Sequence, residues 1–176
     1  MQHQLEVIFN FLKYTNAEKA LQLRHRIALV NIWAPGPGAH VIEVGCGQGE
    51  TTAVLAATVG ASGRVLAVDN GPAEYGRPVT LGKAHAYIKA SALGGHIEFL
   101  RSTDLLDPHR DFPENAFDLA VFSHSSWGFD HGVGHSLLML YDAKAPRGQK
   151  SKEFKGLGHC LSNTPYRIIL YHNKIY

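Results

Sequence analysis

Residues 41–51 read Val-Ile-Glu-Val-Gly-Cys-Gly-Gln-Gly-Glu-Thr, an apolar run that ends in an acid and empties into three alternate glycines, Gly45, Gly47 and Gly49. Glycine permits positive φ and has no Cβ, so a buried strand followed by such a turn, ahead of a helix, lets backbone approach a ligand closely. Twenty residues past Gly49 a second apolar run, Val65-Leu66-Ala67-Val68, ends in Asp69. Nucleotide-binding α/β folds place the acid that holds a ribose at about this offset.

Three ligand classes compete for the loop. A phosphate-cradling P-loop needs a lysine after its last glycine, and none follows Gly49. A dinucleotide loop needs Gly-x-Gly-x-x-Gly; Gly45 and Gly47 fit, but Glu50 occupies the third position. A carboxylate there would meet the pyrophosphate with like charge. S-adenosylmethionine carries no phosphate, and its amine and sulfonium tolerate acids beside the loop.

The remaining chain alternates strand and helix patterns. Leu5, Ile8, Phe9 and Leu12 have helical spacing, which predicts an amphipathic helix over 2–13. Asn16 can cap a second helix that carries Leu21, Ile27 and Val30 toward Trp33. Pro35-Gly36-Pro37-Gly38 stops it. Strands are expected at 40–44, 64–68, 96–100 and 118–123, with helices from the glycine loop to about Val59 and from a Thr80 cap to about Leu93. Such alternation implies a parallel sheet with right-handed crossovers and a ligand at the carboxyl ends of its strands. Glu43, Asp69, Asp104 and Ser123 all fall at those ends.

Four segments together resemble the class I S-adenosylmethionine-dependent methyltransferases: Glu43-x-Gly45-x-Gly47-x-Gly49, Leu66-Ala67-Val68-Asp69, Ile97-Glu98-Phe99-Leu100 with Ser102-Thr103-Asp104-Leu105, and Phe117 to Ser123. The resemblance covers roughly residues 20 to 127. It implies a doubly wound, Rossmann-like parallel sheet with two N-terminal helices. It also implies S-adenosylmethionine held by Glu43, Gly45, Cys46, Gly47, Gly49, Asp69, Asn70, Asp104, Leu105 and Ser123. The division expected is 1–34 for the helices, 39–127 for the cofactor-binding core and 128–176 for a divergent C-terminal segment. The family continues with three more strands after the fourth. After Trp127 only Tyr166 to His172 looks like a strand and only Ser136 to Tyr141 looks helical, so the C-terminal strands are expected to be incomplete.

Each candidate has a structural alternative. Asp69 either accepts hydrogen bonds from both ribose hydroxyls or closes an Asx-turn. Glu43 meets the cofactor's amine, or caps the following helix. Asp104 takes the adenine amino proton with Leu105 packed on the ring, or serves as a helix cap. Tyr14 closes over the methionine end, or packs. His124 is the candidate general base on an acceptor, although methyl transfer from a sulfonium often needs only alignment and a dry site. His131 and His135 could share a helical face as metal ligands, but Gly132 and Gly134 weaken that helix, so no metal is expected.

Lys plus Arg number 17 against 15 for Asp plus Glu, which gives no electrostatic case for nucleic acid or an anionic membrane. A small-molecule acceptor is the expected partner. Cys46 and Cys160 make no disulfide framework, and a thiol inside the loop favours a reducing, cytoplasmic setting. Two other functions remain open: an inactive cofactor-binding remnant and a nicotinamide-dependent oxidoreductase.

Overall fold

The computed structural model describes residues 2–12, 16–103, 116–123 and 167–171. Their order is α1 (Gln2–Leu12), α2 (Asn16–Trp33), β1 (His40–Val44), α3 (Glu50–Val59), β2 (Arg64–Val68), α4 (Leu81–Lys89), a 3-10 turn (Gly94–His96), β3 (Ile97–Leu100), β4 (Leu119–Ser123) and β5 (Arg167–Tyr171). The strands form one sheet in the order β3-β2-β1-β4-β5, and every neighbouring pair is parallel. The sheet is therefore doubly wound, as expected, and the order reverses between β1 and β4. Ligand crevices in open α/β sheets lie outside the strand ends at such a reversal.

Val41, Ile42, Glu43 and Val44 of β1 are all buried, as befits a central strand covered on both faces. Leu5, Ile8, Phe9 and Leu12 bury one stripe of α1, which packs on α2, α3 and α4. Phe11 stacks on Tyr87 of α4, with ring centroids 3.9 Å apart. At the opposite end of the sheet from the crevice, Asp118 ties β4 to β1: its Oδ2 accepts from His40 N at 2.9 Å and its own N donates to His40 O at 2.8 Å.

Two elements differ from expectation. The buried stripe of α2 runs through Leu23, Leu29, Val30 and Trp33, while Leu21 is 71% exposed. Two residues turn a helix by about 200°, so Leu21 and Leu23 cannot share a face. Helix α4 ends at Lys89, four residues before Leu93. The Ser91 hydroxyl donates to Ile88 O at 2.6 Å and accepts from Leu93 N at 3.2 Å, which diverts the backbone from the helical ladder. Lys89 Nζ then donates to Gly94 O and Ile97 O, both at 2.7 Å, and bridges the turn into β3.

Candidate cofactor site

The chain leaving β1 bends back at once onto β2. Gly45 N and Cys46 N both donate to Val68 O, at 2.8 and 3.1 Å, and Gly49 N closes the turn on Cys46 O at 3.0 Å. Gly47 and Gly49 hold φ of 53° and 92°, a region costly for any residue with a Cβ. The two differ in surroundings. A Cβ on Gly49 would lie 2.8 Å from Ile88 Cδ1 and 3.3 Å from the Phe99 ring, whereas one on Gly47 would meet nothing within 4 Å. Gly49 is thus required by packing against α4 and β3. Gly47 opens the crevice side of the loop.

Asp69, at the end of β2, anchors that opening. Its Oδ2 accepts from Gly47 N and its Oδ1 from Gly71 N, each at 2.8 Å. The Gly71 bond is the Asx-turn, so that reading of Asp69 is realised. Each carboxylate oxygen still has a second lone pair, enough to accept one hydroxyl apiece. Asn70 beside it is exposed.

Glu43 lies 1% exposed at the carboxyl end of β1. Thr52, in the first turns of α3, donates its hydroxyl to Glu43 Oε2 at 2.5 Å. Burial pushes the Glu43 carboxyl up to about 8, opposed by the Thr52 hydrogen bond and the charge of Arg26 and reinforced by Glu50 and Asp69. At neutral pH Glu43 is therefore mostly protonated. The Cys46 thiol is buried 4.0 Å from His85 Nε2 and is also pushed up, first by burial and then by the neighbouring acids. It packs inward, away from the open side of Gly47.

The sequence pattern did not single out His85, yet it braces the loop. Its Nε2 lies 2.7 Å from Gly47 O, its ring stacks on Phe99 at 3.9 Å, and Arg101 Nη1 approaches its Nδ1 at 3.4 Å. A neutral imidazole with the proton on Nε2 donates to the carbonyl and accepts from the guanidinium. Burial lowers its pKa, in keeping with that neutral form. The available signal was position: His85 stands on the same helical face as the apolar Leu81, Ala84 and Ile88.

Glu43, Gly45, Gly47, Gly49 and Asp69 are thus brought together at the reversal of strand order. The backbone of Ser123 ends β4 beside them. Asp104, Leu105, His124, Tyr14, the histidines at 131 and 135 and the expected helix at 136–141 lie outside the described residues.

The family model for protein-L-isoaspartate(D-aspartate) O-methyltransferase matches residues 24–76, from the second half of α2 through the Asp69 turn. A solved structure of a cyclopropane-fatty-acyl-phospholipid synthase-like protein from Lactobacillus casei superposes with a TM-score of 0.65 at 34% identity, covering 80% of this chain and 53% of that one. In this segment and in its fold the chain is similar to the class I S-adenosylmethionine-dependent methyltransferases. Methyltransferases phomM' and phomM of the fungus Diaporthe leptostromiformis are 33% and 32% identical over 126 residues. The chain spans about a third of the length of these curated relatives, and the match covers 61% of its own residues. Among the described residues, no helix is long and apolar enough to cross a membrane.

Proposed function

We propose that the chain binds S-adenosylmethionine at the β1–β4 switch point and provides the cofactor-binding part of a methyltransferase acting on a small-molecule acceptor. One observation carries the reading: a loop without a Cβ at Gly47 is pinned to the two-oxygen acceptor Asp69 beside a buried acid, Glu43. Those groups suit an adenosyl ligand with a cationic tail. Asp69 would take the ribose hydroxyls, Gly47 would let the sulfonium end approach, and Glu43 would meet the ammonium. When bound, the cofactor supplies an electrophilic methyl on a sulfonium.

The chain's own contribution is to hold that group against β4 and to exclude water. Asp104 and Leu105 are assigned to the adenine, and Cys46, Gly45, Asn70 and Ser123 to the cofactor's surroundings. His124 is assigned as the base where an acceptor needs one. A small acceptor is favoured by the near balance of charge, 17 cationic against 15 anionic side chains. The matched family segment covers only cofactor-side elements, so its acceptor does not transfer to this chain.

The test is a thermal-shift titration with S-adenosylhomocysteine on the parent and on Asp69→Asn. Ligand at 100 times its dissociation constant should stabilise the parent by about 2.7 kcal/mol. The variant should need at least tenfold more ligand while remaining folded. A parent that shows no shift at millimolar ligand would end the proposal.

A further inference from the structure

Among the described residues, helix α2 carries one charged side chain, Arg26, on its inward stripe. Leu23, Val30 and Trp33 face inward, and Arg26 stands between them at spacings of three and four residues. Its Nε and Nη1 are out of contact with solvent and have no hydrogen-bond partner among the described residues. A guanidinium has five donors and cannot shed its charge. Leaving two of its nitrogens desolvated and unbonded is costly, unless a ligand completes them.

The fold places this side chain beside the candidate site. The chain leaving α2 returns to the end of α3, where Gly38 N donates to Val59 O at 2.8 Å, and the two helices pack together. Arg26 lies seven residues before the last residue of α2, and Thr52 lies seven before the last of α3. At about 1.5 Å per residue both sit about 10 Å above the helix ends. Arg26 is therefore level with Thr52, the residue whose hydroxyl holds Glu43.

We infer that the Arg26 guanidinium takes the carboxylate of the cofactor's amino-acid tail, while Glu43 takes its ammonium. The inference rests on the proposed binding of S-adenosylmethionine and deepens it. A planar fork of N–H donors matches a carboxylate bidentately. A half-buried guanidinium whose charge reaches a buried acid matches an α-amino acid, which presents the opposite charges. They would not match a second phosphate-free nucleoside that lacks the tail.

Calorimetric titration of the parent and Arg26→Met with two ligands separates these roles. One is S-adenosylhomocysteine. The other is its 3-aminopropyl analogue, which keeps adenosine, sulfur and ammonium but lacks the carboxylate. The parent should prefer S-adenosylhomocysteine, and Arg26→Met should weaken that ligand about ten- to hundredfold while changing the analogue less than threefold. Equal loss of both ligands, or loss of neither, overturns the inference while leaving cofactor binding intact. A parent that binds neither ligand overturns the parent reading and this one with it. Should Arg26→Met fail to fold by circular dichroism, Arg26→Gln carries the same comparison, since the ratio of the two affinities is the readout.

Discussion

Replacing Glu43 by glutamine should flatten part of the protein's dependence on pH. The side chain is 1% exposed, and burial raises its carboxyl from 4.5 to about 8. Between those values the folded chain keeps a proton that the unfolded chain has released, so stability must fall as pH rises. The contribution is fully present below 4.5 and is lost as pH passes through about 8. The window is 8 − 4.5 = 3.5 pH units, and at about 1.4 kcal/mol per unit the swing is about 5 kcal/mol. An amide fits the same space, accepts the Thr52 hydroxyl and does not titrate. Urea unfolding followed by circular dichroism at half-unit steps from pH 5 to 8.5 gives both curves. The difference, parent minus Glu43→Gln, should fall steadily across the range. A difference constant to within about 0.5 kcal/mol, the ordinary scatter of surface substitutions, would refute the assignment of a protonated buried acid. A bound ammonium would pull Glu43 back down, so S-adenosylhomocysteine binding at pH 7 should release protons. Calorimetry in buffers of different ionisation enthalpy detects that release.

The two loop glycines should separate fold from site. Gly49→Ala combines positive φ with a crowded Cβ and should cost about 2–4 kcal/mol of stability by denaturant unfolding. Gly47→Ala should cost only about 1–2 kcal/mol, yet weaken S-adenosylhomocysteine by at least tenfold, because its methyl projects into the opening. His85→Phe keeps the stack on Phe99 but strips Gly47 O of its donor, an expected loss of about 1–3 kcal/mol. The lowered pKa of His85 has a sign of its own. Its contribution is present above the ordinary value of 6.5 and is lost as pH falls below it, a fall that His85→Phe should remove.

Much of the sheet was legible because its strands are short apolar runs closed by glycine or acid. The runs at 40–44 and 64–68 became β1 and β2 at those bounds. The Thr80 cap behaved as punctuation: its Oγ1 accepts from Lys83 N. Leu21 misled because α2 is weakly patterned and its phase is set by what it packs on. Ser91 misled because a hydroxyl that takes a helix carbonyl looks like any other helix serine. Arg26 and His85 were missed for one shared reason. A polar residue on a buried stripe looks like an interruption until the fold shows what stands opposite it. Asp69 was legible as an Asx-turn at the end of an apolar run, and its carboxylate closes on Gly71 N.

The acids around the loop should also decide which nucleotide the crevice accepts. Glu50 is 8% exposed in the first turn of α3, where a pyrophosphate would seek the helix amides. Burial is the main reason that the Glu43 carboxyl is raised, and Glu50 and Asp69 add to it. Bringing a phosphate to about 4 Å of one such carboxylate adds about 4 kcal/mol of repulsion at the effective dielectric of a protein surface. That is close to a thousandfold in affinity. NAD should therefore produce no thermal shift at concentrations where S-adenosylhomocysteine produces a full one. Glu50→Gln should strengthen NAD more than S-adenosylhomocysteine, because only the dinucleotide carries phosphate to that helix end. Equal shifts with the two ligands, unchanged by Glu50→Gln, would mean that charge at the loop does not select the cofactor.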